Sequence, residues 1–162
     1  MTLDFPDTHH LNGAIGWLEL GNTSEATEDL GKINPKWRNH PDVLEVSWQI
    51  HAKQNEWEMC VNVAQKLTKV APKLAFGWIH LSFALHELKR TQEAHDSLIS
   101  VLDQFPDEWL MRYNLACYSC QLGNLQDANR WLAGAGLKGG VKQIKRMAKD
   151  DPDLAPLFEV QK

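Results

Sequence analysis

The chain has 162 residues, a formal net charge of −4 and a hydrophobic share of 43%. That is enough for one domain with a buried core, and the mildly acidic balance makes no electrostatic case for nucleic acid, which calls for a basic face. No apolar run approaches the roughly 18 residues of a membrane-spanning helix, and Met1 to His10 holds neither the basic segment nor the apolar run of a secretory signal. Three cysteines are an odd number with no disulfide framework. Together these features predict a reduced, cytoplasmic setting.

In chain order, residues 1–7 read as a lead-in. Helical periodicity starts near Thr8, with Leu11, Ile15 and Leu18 on one stripe. Gly21-Asn22 breaks it, because glycine readily takes the left-handed conformation that closes a helix. Thr23 or Ser24 is the expected cap of the next helix, which carries Ala26, Leu30 and Ile33 and stops before Pro35. A longer link, Lys36 to His40, leads to a helix rich in Val43, Val46 and Ile50. A further helix runs from about Trp57 to Val70, with Cys60, Ala64 and Leu67 inward. The next pair carries Trp78, Leu81, Ser82 and Leu85, then Ala94, Leu98, Val101 and Pro106, around a turn at Lys89-Arg90 that lacks glycine. The last pair carries Leu115, Ala116, Gly123, Ala128 and Leu132, and Ala133-Gly134-Ala135-Gly136 is expected to end it early. Residues 141–149 read as a short amphipathic helix with Val141, Ile144, Met147 and Ala148 inward. Asp150 to Lys162 reads as a final turn or short helix.

The order aromatic, large, small, large in one helix and small, large, proline after it resembles the tetratricopeptide repeat, a helix–turn–helix unit of about 34 residues. Pro72 and Pro106 stand one such period apart, as do Ala94 and Ala128. The resemblance covers about residues 8–136 and is strongest in 74–132. It implies an all-α, right-handed solenoid of four helix pairs in a single domain. The expected repeats lie at about 8–34, 40–71, 74–106 and 108–134, and a C-terminal capping helix within 141–158 covers the last apolar face.

The second repeat departs from the pattern. In strict alignment with the third, Trp48 falls where a tiny residue is needed, an overpacking of about 1–3 kcal/mol. Moving that helix by one residue turns Val43, Val46, Ser47 and Ile50 inward and Trp48 to another face. The expected cost is one extra residue in the turn around Lys53 to Asn55.

Stacked repeats of this family place the first helix of each pair along a concave groove. The resemblance assigns to it Leu11, Asn12, Ile15, Leu18 and Glu19, then Leu44, Glu45, Trp48, His51 and Ala52. It adds Phe76, Ile79, His80, Phe83, His86 and Glu87, then Leu110, Tyr113, Asn114, Cys117, Cys120 and Gln121. Aromatic and large apolar anchors of this kind dominate protein interfaces, and Asn12 and Asn114 can bond a peptide backbone through their carboxamides. The family's basic clamp on a C-terminal carboxylate is missing, since Glu19, Glu45 and Glu87 stand on these faces. The implied function is a non-catalytic scaffold that binds an apolar or mildly basic segment of another protein. Self-association as a homodimer is the alternative.

No phosphate-loop, zinc-protease or hydrolase-elbow motif is present, so no enzyme activity and no cofactor are expected. Cys117 and Cys120 form a C-x-x-C in mid-helix, away from the helix start that activates such thiols in redox enzymes. With His86 they offer three candidate metal ligands, against a reading as small groove-lining residues. His9-His10 and the basic run Lys138, Lys142, Lys145, Arg146 and Lys149 read as solvated surface, with an acidic partner as the other option for the run.

Overall fold

The computed structural model describes residues 3–159. It is all helical, with no strand among the described residues. Four helix pairs follow one another. They are α1 (Asp7–Glu19) with α2 (Thr23–Gly31), α3 (Pro41–Lys53) with α4 (Trp57–Val70), α5 (Ala75–Glu87) with α6 (Thr91–Ile99), and α7 (Trp109–Gln121) with α8 (Leu125–Gly139). Two further helices, α9 (Val141–Asp150) and α10 (Ala155–Glu159), flank a single 3-10 turn at Pro152–Leu154.

The repeat is visible in the backbone. Each first helix has 13 residues. Each is followed by a residue in the left-handed region: Gly21, Asn55, Lys89 and Gly123, a constant interval of 34. The closing bonds are also the same. The left-handed residue donates to the carbonyl three back, and the next residue donates five back, as in Asn55 to Ala52 and Glu56 to His51, or Lys89 to His86 and Arg90 to Leu85. This pair of bonds satisfies the orphan carbonyls of the helix end. Asn22 then accepts from Glu25 N (3.2 Å), so the cap of α2 is Asn22 and not the expected Thr23 or Ser24. Its carboxamide sits at the cap position as soon as Gly21 has reversed the chain.

The constant interval corrects the register expected for the second repeat. The turn around Lys53 to Asn55 holds no extra residue. Val43, Val46 and Ile50 are buried as expected, but Trp48 keeps the position that Ala14, Ser82 and Ala116 occupy in the other first helices, and it is buried there too. Two features make room. The facing residue of α4 is Cys60, whose thiol approaches the Trp48 carbonyl (3.8 Å). The indole lies flat on His80, with ring centroids 3.8 Å apart and planes within 4°.

The chain divides into two compact units, 1–80 and 81–162. In the first, a cluster of Leu3, Leu11, Ala14, Leu18, Ala26, Ile33, Trp37, Val43, Val46 and Ile50 forms a core against which Trp17 and Leu30 pack. Asp7 is buried at the start of α1 and accepts from Asn34 N (2.7 Å), which ties the link after α2 back to the N-terminus. Gly77 lets α5 approach α4, since a Cβ there would stand 3.2 Å from that of Leu67.

In the second unit, Leu98, Met111, Leu115, Tyr118, Ile144 and Leu154 are fully buried. The glycines of α8 do not end it early. The helix runs through Gly134 and Gly136 and stops only at Gly140, whose φ is +91°. Ala135 and Gly136 are buried, so packing outweighs the helix-breaking tendency of glycine, about 1 kcal/mol per residue. In α9, Ile144 and Ala148 are buried as expected, whereas Val141, which opens the helix, is half-exposed.

Candidate functional site

In the first unit the predicted groove residues divide by exposure. Asn12 is exposed and Ile15 is 38% exposed, beside an exposed Glu19. Leu11, Leu44 and Trp48 are buried, while His51, Ile79 and His80 are half-buried. His51 Nδ1 lies 2.6 Å from Glu56. His80 Nε2 lies 3.0 Å from both oxygens of Glu45, whose Oε1 also accepts from Gln49 (3.0 Å). Burial works to raise the Glu45 carboxyl, but the hydrogen bond and charge of His80, helped by Gln49, outweigh it and hold it below its ordinary value. Under the constant interval, Glu45 and Gln49 are the α3 counterparts of Leu11 and Ile15. The α3 face is therefore more polar than the shifted register implies.

In the second unit, Phe83 is 38% exposed and Asn114 is half-buried, but His86, Tyr113 and Cys117 are buried. What covers them is the chain's own Asp-Pro-Asp-Leu turn. The Tyr113 hydroxyl donates to Asp151 Oδ2 (2.7 Å), and the Cys117 thiol lies 3.7 Å from the same oxygen. His86 Nε2 is 3.0 Å from Asp153 Oδ2, and His86 Nδ1 is 3.0 Å from the Thr91 hydroxyl. A carboxylate only accepts, so Nε2 carries the proton in this pairing. Gln121 donates to the Asp153 carbonyl (2.9 Å). Asp151 Oδ1 in turn accepts from Asp153 N (3.0 Å), which folds the turn onto itself. Leu154 and Leu157 are buried below. Behind His86 its ring meets that of Tyr118 at 4.9 Å, and Tyr118 donates to Ser82 (3.1 Å).

This geometry sets the chemistry of the thiols. Burial first, then the charges of Asp151 and Asp153, hold the Cys117 thiol far above its ordinary value, and burial raises Cys120 as well. Burial and Glu56 push Cys60 up to about 11. Dithiol chemistry needs a lowered thiol pKa, and all three free cysteines are shifted the other way. Burial and the Asp151 bond likewise push the Tyr113 phenol up, so it stays a donor. No group of three or more His, Cys, Asp or Glu suited to a metal ion occurs among the described residues. Both ring nitrogens of His86 are engaged by Thr91 and Asp153.

The basic run lies elsewhere. Lys138, Lys142, Lys145, Arg146 and Lys149 are all exposed, and Lys138 pairs with Asp107 at 2.6 Å. Between α8 and α9, Leu132, Ala133, Leu137, Val141 and Ile144 line an open apolar cleft of about 400 Å³. No helix among the described residues is long and apolar enough to cross a membrane.

The sequence expectations for His86, Tyr113, Cys117 and Gln121 missed the occupant of the second unit's face because the contacts span 32 to 67 residues. The one local signal is the Asp-x-Asp spacing, which favours a turn closed by its own carboxylate.

No protein-family model matches the chain, and no curated protein matches it. Solved structures do. MamA from Desulfovibrio magneticus RS-1 superposes with a TM-score of 0.72 at 14% identity, over 90% of this chain and 78% of that one. MamA of MSR-1 gives a TM-score of 0.70 at 21% identity, over 85% and 79% of the two chains. MamA of AMB-1 gives 0.65 at 16% identity, over 96% and 99%. At such identities the likeness speaks to fold. Joined to the 34-residue interval of the turns, it establishes that this chain has the all-α helix-pair fold of tetratricopeptide-repeat proteins.

Proposed function

We propose that the protein is a non-catalytic interaction scaffold that binds segments of other proteins along its first helices. In the first unit the segment is apolar or mildly basic. The observation that carries this reading is the face of α1, where Ile15 is exposed between Asn12 and Glu19. An apolar anchor flanked by a carboxamide and a carboxylate suits a side chain such as leucine next to lysine. Half-buried Ile79 and His80 extend the same chemistry. Three cysteines with no disulfide framework support a cytoplasmic setting for this scaffold.

The test is selection of short peptides from a display library on the full chain. The selected peptides should combine large apolar residues with lysine or arginine. Ile15→Asp should weaken them by tenfold or more, about 1.4 kcal/mol, with helical circular dichroism unchanged. Peptides that bind the Ile15→Asp chain as well as the wild type remove α1 from the site.

A further inference from the structure

We propose that the second unit carries a recognition site for an acidic Asp-X-Asp-Leu turn, filled in cis by residues 151–157 and open to the same motif in another protein. This rests on the reading of the first helices as the binding face, and it names the ligand chemistry for that face of α7 and the end of α5.

The site is assembled from donors that match a doubly acidic turn. Tyr113 donates to the first carboxylate, His86 to the second, and Gln121 to the carbonyl between the second aspartate and the leucine. Each donor is set by a neighbour or a helix. Thr91 holds the far nitrogen of His86, while Tyr113, Cys117 and Gln121 lie at i, i+4 and i+8 on one stripe of α7. His86 and Tyr113 are themselves buried. A purely structural cap on a helical repeat needs only apolar contacts. Here a carboxylate meets a phenol, another meets an imidazole, and a side-chain amide reads the backbone. Such polar contacts discriminate between ligands far more sharply than apolar ones, because a ligand without the acidic groups leaves buried donors unpaired. The chain around the turn also suits exchange. It is joined through Asp150, exposed at the end of α9, and its last described residues, Phe158 and Glu159, are exposed.

Exchange follows from population arithmetic. While the cis segment is seated, an outside turn sees only the fraction of chains whose face is open, and its apparent affinity falls by that fraction. Loosening the cis segment should therefore raise the affinity for the same sequence in trans.

The experiment uses the full chain and a fluorescent peptide of residues 150–159, Asp-Asp-Pro-Asp-Leu-Ala-Pro-Leu-Phe-Glu. Anisotropy is measured with the wild type and with Asp151→Ala/Asp153→Ala, while labelling of Cys117 reports whether the face has opened. The double variant should label Cys117 faster and bind the peptide about tenfold or more tightly than the wild type. A peptide with asparagine in place of both aspartates should bind much more weakly. Tyr113→Phe with Gln121→Ala, added to the double variant, should cancel the gain, and Ile15→Asp should not. Faster labelling without peptide binding overturns the proposal. So does unchanged labelling without binding, since the aspartates then do not hold the segment. Concentration-dependent dimers without peptide binding assign the face to exchange between copies and also overturn it. If the double variant loses its helical signal, the peptide with a benzophenone in place of Phe158 is irradiated with the wild type at millimolar concentration. Adducts on α7 support exchange, and their absence rejects it. Failure here with Ile15-dependent peptides intact sinks this site alone.

Discussion

Replacing Trp48 by alanine separates two physical accounts of the second repeat. If a tryptophan at the small position overpacks α3 against α4, Trp48→Ala should relieve about 1–3 kcal/mol of strain. The structure argues for the opposite sign. The indole is buried, lies flat on His80 at 3.8 Å, and faces a cysteine across the helix pair rather than a larger residue. Truncating a buried tryptophan typically costs about 3–5 kcal/mol, and the lost ring stack adds about 0.5–1.5 kcal/mol. The His80–Glu45 pair would also lose its cover. For a unit spanning 1–80, each kcal/mol moves the midpoint by about 4–8 °C, so the first unit should melt at least ~12 °C lower. Thermal melts followed by far-ultraviolet circular dichroism, with urea titration as a second measure, read this out. A melting point equal to or above the wild type would refute the packing argument and restore the overpacked register.

Three further outcomes follow from the same reasoning. With burial and acidic neighbours raising all three thiols, the native protein at neutral pH should react with a thiol-exchange reagent at none of them within minutes, and denaturant should release three; prompt reaction of Cys117 would contradict its enclosure by Asp151. Lys89 sits at φ +63° where two sister turns use glycine, and a left-handed side chain costs roughly 1–2 kcal/mol. Offset by the backbone entropy of glycine, about 0.5–1 kcal/mol, Lys89→Gly should stabilise by about 0.5–1 kcal/mol in urea melts, whereas Gly123→Ala should lose about 1 kcal/mol. The Glu45 carboxyl is held below its ordinary value in the folded chain, so its stabilising contribution is complete above the unfolded value, about 4.3, and is lost as pH falls through the depressed folded value. Acid titration should therefore weaken the first unit below about pH 4, and Glu45→Gln should flatten that part of the curve; an unchanged acid limb would remove the pair as its cause.

The helix pairs and their period were legible because they rest on local chemistry. Small residues, prolines and turn residues recur along the chain, and each marks a feature that lies within one repeat. The phase of α3 was misread because a single bulky side chain was weighed against an average repeat. The sequence does not state that its opposite number is Cys60 or that a flat imidazole waits in α5. The end of α8 was misread for a related reason: glycine weakens an isolated helix, but Gly136 is buried against the start of α9, and tertiary packing won. For the candidate site, residue types were readable and accessibility was not. His86, Tyr113 and Cys117 stand on the expected helices, yet nothing near them in the chain says that Asp151 and Asp153 return to cover them.

The fixed spacing of the left-handed turns has a consequence for how such a chain can change in length. One added residue in a helix turns everything beyond it by about 100° about the helix axis, so single insertions scramble which side chains look inward. Copying or removing a whole block of 34 leaves every inward side chain where it was. Growth by duplication is thereby built into the backbone, whereas drift by ones and twos is not.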